Sequence, residues 1–293
     1  MKTIGVVGCG VMGSGIVQLC LQAGYDVIAR EINEDLLKKG LDRVGSSLQK
    51  MTAKGSLSVE AKEDALRRLR GVTALEDLSA CDFIIEAAPE IMSLKLDIFK
   101  ALDGLCRSET IFASNTSSLS VSEMAAKTSR PGKFIGLHFF NPAAVMPLVE
   151  VIKTIRTEPE VFQAAFEFAK SLKKTPILAK DNTGFIVNLL LTPFLIDAIR
   201  ALQEGVASIA DIDAGMKLGC NHPMGPLMLA DFIGLDVLMA GANSLYEEYK
   251  EKRYAPPALM KRMVTLGLLG AKTGKGFYDW SDAKNPRPHG PGL

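Results

Sequence analysis

His138 is one of only three histidines in the chain, and it stands in the run Leu137-His138-Phe139-Phe140-Asn141-Pro142 at the end of an apolar stretch. A little further on, Glu150 is embedded in Pro147-Leu148-Val149-Glu150-Val151-Ile152. An ionised carboxylate is costly in such surroundings without a partner, and a buried histidine is a natural one. The two read as a base and its orienter, the carboxylate fixing the imidazole tautomer and stabilising the imidazolium. A third polar group, Ser114-Asn115-Thr116-Ser117-Ser118, follows another apolar run and brings Ser117 to a strand end. His222, before Pro223, and His289 near the C-terminus lack comparable company and are read as non-catalytic.

Proton transfer at strand ends needs a sheet to collect those ends, and the first residues of the chain supply its start. Thr3-Ile4-Gly5-Val6-Val7 is an apolar strand that runs into Gly8-Cys9-Gly10-Val11-Met12-Gly13 and then into a helical stretch. In such a turn Gly8 allows the bend, Gly10 lets the backbone approach a pyrophosphate and Gly13 lets helix and strand pack closely. The helix N-terminus then offers free N–H groups and a positive dipole end to phosphates. A second strand, Asp26–Arg30, ends at Glu31, near the spacing at which an acid meets the adenosine ribose. This is a dinucleotide site.

Short strands alternate with helical patterns through the first part, the signature of a mostly parallel sheet with helices on its faces. The expected strands are Thr3–Val7, Asp26–Arg30, Asp82–Glu86, Thr110–Ala113 and Phe134–His138. Between the second and third, the charged segment from Glu34 to Arg70 carries Leu36, Leu37, Leu41, Val44 and Leu48 at helical spacing and reads as an inserted helical pair. From Thr183 onward the pattern is helical, with helices expected at Gly184–Gln203, Ile209–Leu218, Leu235–Lys250 and Pro257–Leu266 and a turn at Pro223-Met224-Gly225-Pro226. The reading is therefore α/β: a Rossmann-like doubly wound sheet over 1–182, followed by an all-α C-terminal domain over 183–293. The proline-rich tail from Asn285 is expected to be loose.

Composition sets the outer limits. The 293 residues are enough for two domains, and 47% hydrophobic with 23% charged residues is ordinary for a globular core. A formal charge of +1 gives no global field for nucleic acid or a membrane surface, so an anionic ligand must be held locally. Five scattered cysteines suggest neither disulfides nor a zinc site, and no other metal site is indicated. The apolar stretch from Gly184 to Ile199 is broken by Asn188, Pro193 and Asp197, unlike a membrane span. With a core strand at the N-terminus, the expected location is cytoplasmic.

Four ordered segments carry a family resemblance: Ser114-Asn115-Thr116-Ser117-Ser118-Leu119, Gly136-Leu137-His138-Phe139-Phe140-Asn141-Pro142, Gly184-Phe185-Ile186-Val187-Asn188 and Gly270-Ala271-Lys272-Thr273-Gly274-Lys275-Gly276-Phe277-Tyr278. Over nearly its whole length the chain resembles the L-3-hydroxyacyl-CoA dehydrogenase family, most nearly its short-chain bacterial members. The resemblance implies NAD-dependent interconversion of a 3-hydroxyacyl-CoA and a 3-ketoacyl-CoA. It assigns proton abstraction to His138 with support from Glu150, and the reacting oxygen and thioester carbonyl to Ser117 and Asn188. To the cofactor it assigns Glu90, Lys95, Asn115, Ser117 and Lys272, beside Gly8, Gly10, Val11, Met12, Gly13 and Glu31. To the CoA phosphates it assigns Ser47 and Lys54, with Lys50 one turn before Lys54 on the same helix face. It also implies a homodimer, for which Phe185, Leu190, Phe194 and Ile199 offer an apolar face.

Some positions depart from the usual family pattern: Glu31 stands where aspartate is common, Leu189 where arginine is common, and Asn182-Thr183 where Thr-Pro is frequent. Glutamate still accepts from both ribose hydroxyls and repels a 2′-phosphate, which favours NAD over NADP. Two other readings share the fold: a dehydrogenase of a free hydroxy acid or sugar acid, as in L-gulonate dehydrogenase, and a non-enzymatic protein of the lens-crystallin kind. Ser47, Lys50 and Lys54 discriminate against the first. Intact His138, Glu150, Ser117 and Asn188 discriminate against the second.

Overall fold

The computed structural model describes residues 1–289, which form two compact units, Met1–Phe185 and a second beginning at Ile186. The first unit alternates strand and helix: β1 (Thr3–Val7), α1 (Val11–Gln22), β2 (Asp26–Arg30), α2 (Glu34–Ala53), α3 (Val59–Arg67), β3 (Leu69–Val72), β4 (Phe83–Glu86) and α4 (Met92–Leu105). It continues with β5 (Ile111–Ser114), α5 (Val121–Ala126), β6 (Phe134–Phe139), β7 (Leu148–Lys153), α6 (Pro159–Ser171) and β8 (Thr175–Lys180). One eight-stranded sheet results, in the order β3-β2-β1-β4-β5-β6-β7-β8. Every neighbouring pair is parallel except β6 with β7. The parallel run from β1 through β6 brings the ends after Val7, Glu86, Ser114 and Phe139 to one edge, where ligands bind in sheets of this type.

The central strands are hydrophobic because both faces are covered: Ile4, Val6, Phe83, Ile85, Ala113, Ile135 and Leu137 are fully buried. Aromatic pairs thicken this core, with Phe83 stacked on Phe168 at 5.1 Å and Phe99 edge-on to Phe134 at 4.6 Å. The inserted helical pair is α2 and α3, as the spacing predicts. Helix α2 starts where the Asn33 side chain accepts the Leu36 N–H at 2.9 Å, with Glu34 and Asp35 favouring the positive end of its dipole. It buries Leu37, Val44 and Leu48 and leaves its lysines outside.

Three strands lie beyond the five expected. β3 is short and half-exposed at the sheet edge, β7 hides its alternation because its four central residues are all buried, and β8 is a largely exposed edge strand.

The second unit contains α7 (Val187–Gln203), α8 (Ile209–Gly219), α9 (Pro226–Ile233), α10 (Leu235–Tyr249) and α11 (Ala258–Thr265), then the short strands β9 (Tyr278–Asp279) and β10 (Arg287–Pro288). Leu195, Ile196, Ile199, Leu227, Ala230, Leu235, Met260 and Phe277 form its core. Helix α7 begins three residues later than its pattern suggests, because Gly184 and Phe185 adopt φ of +82° and +49°. Helix α9 replaces part of the expected turn: Pro226 occupies its first position, where a missing N–H costs nothing. The tail is not loose over its described residues. β10 pairs antiparallel with β9, and the His289 N–H donates to the Phe277 carbonyl at 2.7 Å. The end of that tail, 290–293, lies outside the described residues.

Two of the residues expected on an interface are core instead, Phe185 at 3% and Ile199 at 0% exposure, while Leu190 is 62% exposed. Among the described residues, no single helix is long and apolar enough to cross a membrane.

Candidate active site

The glycine turn after β1 has the strain and close approach that its sequence implies. Gly8 sits at φ +91°, and a Cβ on Gly13 would lie 1.7 Å from the Gly8 carbonyl oxygen, so both positions exclude side chains. Above Gly10 the space is open: a Cβ there would meet nothing within 4 Å. Helix α1 follows with no side-chain cap and no acidic residue in its first turn, leaving its N–H groups and dipole available to an anion. These features border a cavity of about 440 Å³ whose walls include Gly8, Gly10, Val11, Met12 and Glu31.

Glu31 is held in place. Its Oε1 accepts the Cys9 N–H at 2.6 Å and its Oε2 accepts the Ile32 N–H at 3.1 Å. Burial, with the Glu31 charge next to it, pushes the Cys9 thiol up to about 11. Arg30, also on the cavity wall, donates its Nε–H to the Thr73 carbonyl at 2.9 Å. An open glycine cradle, an uncapped helix end and an anchored carboxylate fit a dinucleotide whose adenosine ribose carries free hydroxyls.

Next along the edge, β4 ends in Glu86, which is fully buried and paired with Lys95 of α4 at 2.5 Å. The cost of burying the two charges is offset by hydrogen bonds. Glu86 also accepts from the Ala88 N–H at 2.7 Å and the Ser114 hydroxyl at 2.6 Å, and Lys95 also donates to the Ala88 carbonyl at 3.1 Å. Lys95 further lies 3.4 Å from Glu90, at only 1% exposure. The ammonium that the resemblance assigns to the cofactor is thus directed at three protein acceptors. Glu90 in turn accepts from Thr116 Oγ1 at 2.6 Å, from the Ser117 N–H at 2.9 Å and from the Ser118 N–H at 3.1 Å, fixing the loop that carries Ser117. Asn115 ties that loop to β6: its Oδ1 accepts the Phe139 N–H at 2.9 Å.

On β6 and β7 the antiparallel register sets His138 opposite Glu150. The imidazole Nδ1 lies 2.7 Å from Glu150 Oε2, with the histidine 4% and the glutamate 0% exposed. An ionised carboxylate can only accept, so in this contact Nδ1–H is the donor and Nε2 is the ring nitrogen not bonded to Glu150. The rings of Phe140 at 4.5 Å and Phe185 at 5.6 Å flank the imidazole. Chemically, such an arrangement can serve as a general base held by its orienting acid.

A second cavity of the first unit, about 770 Å³, collects Ser47, Lys50 and Lys54 of the inserted pair. Its walls also include Gln18, Gln22, Lys173 and Lys174, which sequence reasoning missed. Gln18 and Gln22 lie within an otherwise ordinary helix, and the two lysines follow α6 as an unremarkable charged turn, so no local signal marks them. In the second unit, Asn188 is the second residue of α7, and Lys272 forms an ion pair with Asp236 at 2.6 Å.

Residues 3–182 match the family described as 3-hydroxyacyl-CoA dehydrogenase, NAD binding domain, and residues 184–280 match the 3-hydroxyacyl-CoA dehydrogenase C-terminal domain. The chain is 45% identical to a 3-hydroxybutyryl-CoA dehydrogenase of Clostridioides difficile, across 95% of this chain and 99% of that one. It is 43% identical to a 3-hydroxybutyryl-CoA dehydrogenase of Bradyrhizobium diazoefficiens, across 97% of each. Among solved structures, (S)-3-hydroxybutyryl-CoA dehydrogenase from Ralstonia eutropha superposes with a TM-score of 0.93 at 46% identity, covering 96% of this chain and all of that one.

Proposed function

The chain belongs to the 3-hydroxyacyl-CoA dehydrogenase family, and on that premise we propose that it interconverts 3-hydroxybutyryl-CoA and acetoacetyl-CoA with NAD(H). The observation that carries this reading is the His138–Glu150 pair at the edge of the sheet that also bears the glycine cradle. In the oxidative direction His138 Nε2 takes the proton of the 3-hydroxyl as the C3–H bond gives up its electron pair, and Glu150 stabilises the imidazolium that forms. Bound NAD supplies the hydride acceptor. In reduction His138 returns the proton to the oxygen at C3.

Ser117 and Asn188 are assigned to the reacting oxygen and the thioester carbonyl, Ser117 through the loop that Glu90 fixes. The cradle residues and Glu31 bind the dinucleotide directly. Lys95 acts one step back, by holding Glu86, Glu90 and the Ala88 carbonyl in place. Residues 1–182 are assigned to cofactor binding and 183–293 to substrate and dimer contacts, while Lys272 of the second unit keeps its assignment to the cofactor. Exposed apolar side chains of the second unit, Leu190, Phe232 and Val237, support the homodimer. The proposed location is the cytoplasm.

Between the two substrate classes, Ser47, Lys50 and Lys54 on one cavity favour a CoA thioester over a free hydroxy acid. Initial rates decide the matter. Acetoacetyl-CoA with NADH is expected to be reduced far faster than free acetoacetate, and the opposite order would replace this reading with the free-acid alternative.

A further inference from the structure

Helix α6 ends in a turn to which lysine is poorly suited. Beyond Leu172 the Lys173 N–H donates to the Lys170 carbonyl at 2.8 Å and the Lys174 N–H to the Ala169 carbonyl at 3.2 Å, with Lys173 at φ +58°. This is the helix ending that favours glycine at the left-handed position, because a Cβ there crowds the following carbonyl. The two lysines then part company. Lys174 is buried and donates to the Ala143 and Met146 carbonyls at 2.7 and 2.8 Å, and burial holds its pKa below the usual lysine range. Lys173 is exposed on the wall of the cavity that holds Ser47, Lys50 and Lys54.

That wall contains Lys50, Lys54, Lys173 and Lys174 and no carboxylate. Lys50, Lys54 and Lys173 belong to no ion pair among the described residues, although many surface lysines and arginines here do. In a chain of net charge +1 this is a local concentration of uncompensated positive charge. Its sources are two separate elements, α2 and the end of α6.

We propose that Lys173 is a further substrate-binding residue, a third cation for the phosphorylated adenosine end of CoA beside Lys50 and Lys54. The proposal rests on the reading of this cavity as the CoA site. Lys173→Gly tests it without risk to folding, since glycine is the residue that the turn prefers. In the full-length enzyme the substitution is expected to raise KM for acetoacetyl-CoA about three-fold, the effect of one exposed charge contact. KM for acetoacetyl-pantetheine, which lacks the phosphorylated adenosine, stays at the parent value. Lys54→Ala is measured alongside. A raised KM in Lys54→Ala with an unchanged one in Lys173→Gly overturns the assignment of Lys173 and leaves the CoA site standing. No rise in either variant overturns both. An equal rise for the two thioesters in Lys173→Gly also overturns the assignment, because it reports a change in the fold rather than a lost phosphate contact.

Discussion

Glu31 accepts the backbone N–H of Cys9 at 2.6 Å, so the acid that ends β2 is bonded to the glycine turn that ends β1. In the proposed dinucleotide site its carboxylate would meet an adenosine 2′-phosphate, and it cannot swing away without losing that bond. NADH is therefore expected to exceed NADPH in kcat/KM by at least about tenfold, or about 1.4 kcal/mol. Glu31→Gln keeps an acceptor for Cys9 while removing the charge, and it should narrow the gap. Equal efficiency of the two cofactors in the parent enzyme would refute the role.

The paired strands set His138 opposite Glu150, and on the proposed mechanism the two act as one unit. His138→Ala should lower kcat by about 100-fold or more, within the usual range for general acid–base catalysis, with NADH binding by fluorescence titration nearly unchanged. Glu150→Gln should be slow as well and should shift the pH–rate profile. The double variant should be little worse than the worse single one. Strictly additive losses would mean that Glu150 serves the fold alone.

Lys95 and Glu86 allow a prediction about stability. Lys95→Met leaves a fully buried carboxylate without its cation and should cost about 3–5 kcal/mol in urea unfolding. Adding Glu86→Gln removes the stranded charge and should recover part of the loss. A single variant as stable as the parent would show that the pair contributes nothing to the fold.

Thiol reactivity separates the cysteines. Cys9, Cys20, Cys81 and Cys106 are buried and Cys220 is exposed. Burial holds the Cys9 thiol at about 11 and raises Cys81 to about 12, so neither forms much thiolate at pH 8. A disulfide reagent at pH 8 should titrate one thiol in the folded protein and all five in urea. Rapid native reaction of a second thiol would point to opening around a buried site.

The glycine turn, the strand ends at Ser117 and His138 and the pairing of His138 with Glu150 were legible because each follows from a local rule. The turn needs glycine, the ends of a parallel sheet gather ligands, and a charge in an apolar run needs a partner. The strand β7 was not legible as a strand, since its four central residues are all buried and show no alternation. Nor was the position of Lys95: a lysine in a helix gives no sign that its ammonium ends between Glu86, Ala88 and Glu90, contacts set by the crossing of α4 over the end of β4. Phe185 read as helix and interface, and only its φ of +49° shows the turn that carries its ring toward His138. Lys173 and Lys174 join Lys54 through the third dimension, across a sequence distance that no periodicity spans.

The single antiparallel pair of the large sheet separates two kinds of change that a lineage can make. Inserting one residue within β6 or β7 would turn the imidazole and the carboxylate to opposite faces and end the chemistry. The connection 140–147 contributes Ala144, Val145 and Pro147 to the wall of the cavity assigned to CoA, and it is pinned by Phe140 against the imidazole and by the Ala143 and Met146 carbonyls that hold buried Lys174. Descendants of this chain can therefore remodel that wall by exchanging the side chains at 144 and 145, without altering the register that sets His138 opposite Glu150.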